Sequence, residues 1–85
     1  MSQREKLLDA ILRNPQDVRL GDACKAAKWI GFTKESGSGS HRAFSRPGEA
    51  TQLNFQAKND GKIPTYQGRQ LGAMINKYRD ADDEN

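Results

Sequence analysis

At Ile30-Gly31-Phe32 the chain changes its hydrophobic period, and that change restricts the possible folds more than any other feature. Upstream, apolar side chains recur three and four residues apart; downstream, they alternate with polar ones. The first spacing buries one stripe of a helix and the second buries one face of a strand. A chain carrying both in succession must pack helices against a sheet, so the fold class is α+β.

The upstream part divides into two helices. Leu7, Leu8, Ile11 and Leu12 make one stripe over residues 2–13. Ser2 can cap this helix, and Glu5 stands three residues on, as in a capping box. Asn14-Pro15 ends it, because the residue before proline disfavours helical geometry. Leu20, Ala23, Ala26, Ala27 and Ile30 place a second helix over residues 20–30. Gly31 suits the left-handed position beyond its end, and Phe32 can fold back on the last turn. Its alanines predict a close approach to the first helix. Cys24 reads as a small apolar filler. Trp29 falls off the stripe, so it is either partly buried or turned to a partner.

The downstream part predicts a meander. Residues 32–36 form a strand, 37–40 a turn, 41–45 a strand, 46–49 a turn and 51–56 a third strand. Parity places Leu53, Phe55 and Phe44 on one face, towards the helices. His41, an odd step from Phe44, then shares the opposite face with Ala43, Ser45, Gln52, Asn54 and Gln56. A loop at residues 58–62 leads to a last helix over 65–78, with Leu71, Met74, Ile75 and Tyr78 as its stripe. Gly68 and Gly72 cost this helix about 1 kcal/mol each against alanine, a cost that close packing would explain. The element order is α-α-β-β-β-α, with a three-stranded antiparallel sheet and the helices on one face. Residues 1–78 make a single domain, and residues 79–85 an acidic tail expected to be disordered.

Size and charge narrow the function. Eighty-five residues hold one small domain, and 34% hydrophobic residues allow only a thin core. Stability on the order of 5 kcal/mol is expected, and a partner would raise it. The single cysteine excludes an intrachain disulfide framework and a cysteine-based zinc cluster. One histidine and scattered acids offer no metal ligand set, and no cofactor is expected. The start of the chain lacks a secretion signal's apolar stretch, and no run approaches the roughly 20 residues of a membrane span. A cytoplasmic protein is expected. Fourteen basic residues against eleven acidic ones give a net charge of +3. Four of the acids fall in residues 79–85. A basic body of this kind suits a polyanion, nucleic acid first.

Three pieces in order carry a family resemblance. They are Lys6-Leu7-Leu8…Ile11-Leu12-Arg13-Asn14-Pro15…Val18-Arg19-Leu20, then Ile30-Gly31-Phe32, then Gly39-Ser40-His41-Arg42-Ala43-Phe44. Together they resemble the HicA toxins of bacterial type II toxin–antitoxin systems, over residues 6–78. The resemblance implies a fold like the double-stranded-RNA-binding domain. It also implies a ribonuclease that cleaves mRNA and arrests translation. Its partner would be a HicB-like antitoxin that covers the histidine, with the free toxin monomeric and the pair hetero-oligomeric. The histidine of Gly-Ser-His is the family's catalytic residue, and here it is His41.

The chemistry of these residues is compatible. RNA carries its own nucleophile, the 2′-hydroxyl, so a nuclease need only move protons and stabilise charge. An imidazole, with an ordinary pKa of about 6.5, does either proton transfer at neutral pH. Gly39 lets backbone approach a phosphate, and Ser40 offers a hydroxyl. Lys34, Arg42, Lys58, Lys62 and Arg69 are candidate phosphate contacts. Many family members carry a second histidine beside the first or just after the third strand. Here those places read Arg42 and Gln56-Ala57-Lys58, so a two-histidine acid–base pair within one chain is excluded. Two rival classes stand beside the nuclease: a non-catalytic double-stranded-RNA-binding module and a protein-interaction adaptor.

Overall fold

Ser2 starts the first helix as a cap, its hydroxyl accepting from the Glu5 amide at 3.1 Å, in a computed structural model that describes residues 2–80. The elements run α1 (Gln3–Arg13), α2 (Leu20–Trp29), β1 (Lys34–Ser38), β2 (His41–Ser45), β3 (Leu53–Gln56) and α3 (Thr65–Tyr78). This is the α-α-β-β-β-α order that the change of period implies. The capping box is only half made. The Glu5 carboxylate turns instead to the Arg79 guanidinium, which also holds Asp9 at 3.0 Å. Arg79, counted with the acidic tail from the sequence, therefore caps α3 and ties it to α1. The remainder of that tail, residues 81–85, lies outside the described residues.

The exit from α2 follows from Gly31. Its φ of 93° lets the Phe32 amide bond the Ala27 carbonyl at 2.9 Å and the Gly31 amide bond the Lys28 carbonyl at 3.1 Å. These are the paired bonds of a Schellman cap, and Phe32 falls into the core beside them. The Arg46 side chain closes the same helix end. It donates to the Ile30 carbonyl at 2.7 Å and lies over the Tyr78 ring at 4.1 Å.

The sheet is antiparallel, ordered β1-β2-β3. Phe44, Leu53 and Phe55 are fully buried on one face, under α2 and α3. Helix α1 forms the outer layer, on α2 and α3. The core also takes Leu8, Ile11, Val18, Ala23, Ala26, Ala27, Ile30, Phe32, Ile63, Leu71 and Ile75. Leu7, Leu12, Met74 and Tyr78 are half-buried against it. Gly68 shows why α3 carries glycine in its first half. A Cβ there would fall 2.1 Å from the Pro15 carbonyl oxygen, so α3 crosses the turn after α1 in backbone contact.

Two strand boundaries differ from the alternation pattern. Strand β1 begins at Lys34 rather than Phe32 and continues through Gly37 and Ser38, which had read as turn. Phe32 and Thr33 are occupied with leaving α2. Pairing then runs to the last residue before the turn, Ser38 opposite His41. Strand β3 begins at Leu53 rather than Thr51, because the Thr51 amide is taken by the Glu49 carboxylate at 2.8 Å. Cys24 is half-buried, and burial pushes its thiol pKa up, in keeping with a filler. Trp29 is half-buried, with the Lys25 ammonium 6.0 Å from its ring. No helix among the described residues is long and apolar enough to cross a membrane.

Candidate nucleic-acid interface

The β1–β2 hairpin holds His41 at the first position of β2, beside a two-residue turn of Gly39 and Ser40. Gly39 takes φ 61° while Ser40 does not take positive φ. A glycine first in the turn matches a type II′ hairpin, whose twist suits the flanking strands. The turn is fastened from both sides. The Ser40 carbonyl accepts from the Ala57 amide at 2.9 Å, and the Gly39 carbonyl accepts from Arg42 Nε at 3.2 Å. Gly37 has a different task. A Cβ on it would lie 2.4 Å from the His41 carbonyl oxygen, and its φ is 94°. Glycine at 37 is thus what allows β1 to run beside His41. The sequence places Gly37 in the turn, whereas it lies in β1; the signal for its part in the strand was a glycine two residues ahead of the turn glycine.

Residues paired across antiparallel strands share a face. The register sets Ser38 and Gln56 opposite His41, Ser36 and Asn54 beside Ala43, and Lys34 opposite Ser45. One face of the sheet therefore reads Lys34, Ser36, Ser38, His41, Ala43, Ser45, Asn54 and Gln56, all exposed or half-buried. It is polar and carries His41 exposed to solvent, where parity placed it.

The five candidate cations do not gather on this face. Lys34 does, roughly 13 Å from His41 along the strands at the ordinary rise per residue. Arg42 pairs with Phe55 and so belongs to the helix side. Its guanidinium meets Glu35 at 2.5 Å, and Lys28 meets the same carboxylate at 3.4 Å. The Arg42 hydrogen bond, before any other cause, holds the Glu35 carboxyl below its usual range. Lys58 lies 3.8 Å from Asp60, and Lys62 lies 2.8 Å from Asp17. Lys62 lowers the Asp17 carboxyl, first by hydrogen bonding and then by charge. Arg69 is exposed on α3, where it lines a shallow cleft with Leu12, Pro15 and Asn76. Neither Lys34 nor Arg69 has a carboxylate partner among the described residues.

Beside the site, α3 meets the free edge of β3. The Gln56 amide donates to Gln67 Oε1 at 3.0 Å, and Gln67 Nε2 donates to the Tyr66 hydroxyl at 3.2 Å. Gln67 is 7% exposed and Tyr66 69%. Sequence reading passed over both. The available signal was that Tyr66, five residues ahead of Leu71, falls off the apolar stripe of α3. The arrangement as a whole offers one proton-transfer group on an open polar face, one ammonium on that face without a carboxylate partner among the described residues, and an aromatic ring on α3 tied through Gln67 to the edge of β3. Comparison with family models, with curated proteins and with solved structures returns no match, so the likeness to HicA toxins stands on the sequence motifs alone.

Proposed function

We propose that this chain is a HicA-like toxin, a metal-independent ribonuclease that cleaves mRNA through His41 and so stops translation. The observation that carries the reading is the exposed His41 at a braced hairpin turn, on a sheet face that no helix covers. A buried structural histidine would fill the core; this one is exposed, with Ser38 and Gln56 paired beside it.

The chemistry needs little from the protein. The 2′-oxygen of a nucleotide attacks the adjacent phosphorus and the bond to the 5′-oxygen breaks. A 2′,3′-cyclic phosphate and a 5′-hydroxyl result. His41 takes the 2′-hydroxyl proton as that oxygen attacks, and water protonates the leaving oxygen. Lys34 provides the positive charge on the same face and the Ser40 hydroxyl a hydrogen bond. Gly39 leaves room for the phosphate. A HicB-like antitoxin with an acidic docking region would cover the open face and neutralise the toxin in the cytoplasm.

The test is expression of the chain alone in bacteria, with His41→Ala at equal protein level. Growth arrest and mRNA decay with the wild type, and neither with the variant, is the expected result. If the variant arrests growth as the wild type does, His41 is not catalytic; RNA binding without cleavage would then favour a double-stranded-RNA-binding module.

A further inference from the structure

We propose that Tyr66 is a stacking platform for an unpaired base of the RNA strand whose phosphate lies at His41, which makes single-stranded RNA the substrate. The inference rests on the ribonuclease reading above and deepens it.

Tyr66 is the one large apolar side chain left exposed among the described residues. A lone exposed ring is ordinary on a protein surface; what sets this one apart is how it is held. The backbone amide of Gln56 requires an acceptor, so it fixes the Gln67 amide with Oε1 inward and Nε2 outward. Nε2 then donates to the Tyr66 hydroxyl. Gln67 is buried, so this bracket is rigid and the ring is oriented before any ligand arrives. Gln56 is also the residue paired with His41. With paired Cα atoms about 5 Å apart, these short contacts keep the Tyr66 hydroxyl within roughly 15 Å of the His41 Cα. A strand lying on the open face at His41 and crossing the free edge of β3 would bring a neighbouring base to the ring.

Two arguments select an unpaired base. Stacking on a side chain requires a base drawn out of its helix, which single strands supply without cost. The 2′-oxygen must also swing in line with the leaving oxygen, which the regular geometry of paired RNA prevents. Double-stranded RNA would present its backbone to both Tyr66 and His41 and satisfy neither.

The experiment uses 2′-O-methyl oligonucleotides, which cannot be cleaved because the nucleophile is blocked, so binding is read apart from catalysis. The same sequence is offered as a single strand and as a duplex to the wild type, Tyr66→Ala, Tyr66→Leu and Tyr66→Phe, each checked for folding by thermal melting. Expected is a loss of single-strand affinity of roughly 5- to 150-fold for Tyr66→Ala and Tyr66→Leu, the range of one stacked base. Tyr66→Phe keeps the ring but frees it from Gln67, so its loss should be smaller than that of Tyr66→Ala yet measurable, and the salt slope should not change, since no phosphate contact is removed. Wild-type affinity in folded Tyr66→Ala overturns the proposal, as does equal loss on the duplex. Cleavage of natural RNA by the wild type with no Tyr66 effect sinks the stacking role alone. A Tyr66 effect on binding without any cleavage sinks the ribonuclease reading alone. Absence of any RNA binding sinks both.

Discussion

Gly37 and Gly39 stand two residues apart and meet opposite limits. Gly37 has a backbone oxygen where its Cβ would be, whereas Gly39 has open space and only its φ excludes other residues. Strained backbone at one position costs on the order of 1–3 kcal/mol. Gly39→Ala should therefore cost about 1–3 kcal/mol for its strained φ, and Gly37→Ala more, because the His41 carbonyl must also move. Urea unfolding of the two variants checks the order. If His41 acts as proposed, RNA cleavage should fall further with Gly37→Ala, since that change displaces His41. The cations differ in the same way. Lys34 has no carboxylate partner among the described residues, and Lys62 is held by Asp17. Lys34→Ala should reduce the salt slope of RNA binding by about 1, and Lys62→Ala should leave it unchanged, in titrations from low to moderate salt.

At the scale of elements, α3 is placed by what it lacks. Gly68→Ala improves helix propensity by about 1 kcal/mol, yet its methyl would fall on the Pro15 carbonyl. We expect net destabilisation of about 2 kcal/mol or more, the usual range for overpacking a fitted contact; a fall in melting temperature checks it, and a rise would show that the two backbones can part. The sequence disclosed the helices and β3 through their apolar periods, and β1 and β2 through the Gly-Ser turn between them; the limits of β2 and α3 match it to the residue. It misplaced β1 by two residues because Gly37-Ser38 reads as turn chemistry, and only pairing with His41 shows that they are strand. The site was half legible for a related reason. Parity within one strand is enough to put His41 on the open face. The neutralisation of Arg42 needs the cross-strand register, which sets Glu35 on its diagonal, and Tyr66 needs the Gln67 bracket between α3 and β3.

Across the whole molecule, pH acts through carboxylates that the fold has claimed. Lys77, then the Tyr78 hydroxyl and the Thr51 amide, bring the Glu49 carboxyl from its ordinary 4.5 to about 2. Asp17, Glu35 and Asp60 are also lowered. A depressed folded-state pKa gives stability that is present above the unfolded value and lost as pH falls through the folded one. The midpoint of urea unfolding should thus fall steadily from about pH 4.5 to about pH 2. Glu49→Gln should be less stable than the wild type at pH 7 and approach it near pH 2; parallel curves over that window would show that Glu49 does not drive the acid limb.

The clasp of Arg79 with Glu5 and Asp9 brings the two described ends of the chain side by side, on the outer helical layer. His41 faces out from the other side of the sheet. A short linker from residue 80 to residue 2 would close the backbone into a ring, and the ring could be reopened in the exposed loop at residues 58–60, away from the core. Such a circular permutant should melt cooperatively. It would carry its new ends beside α3 and β3, where a fused reporter would report directly on molecules arriving at the open face.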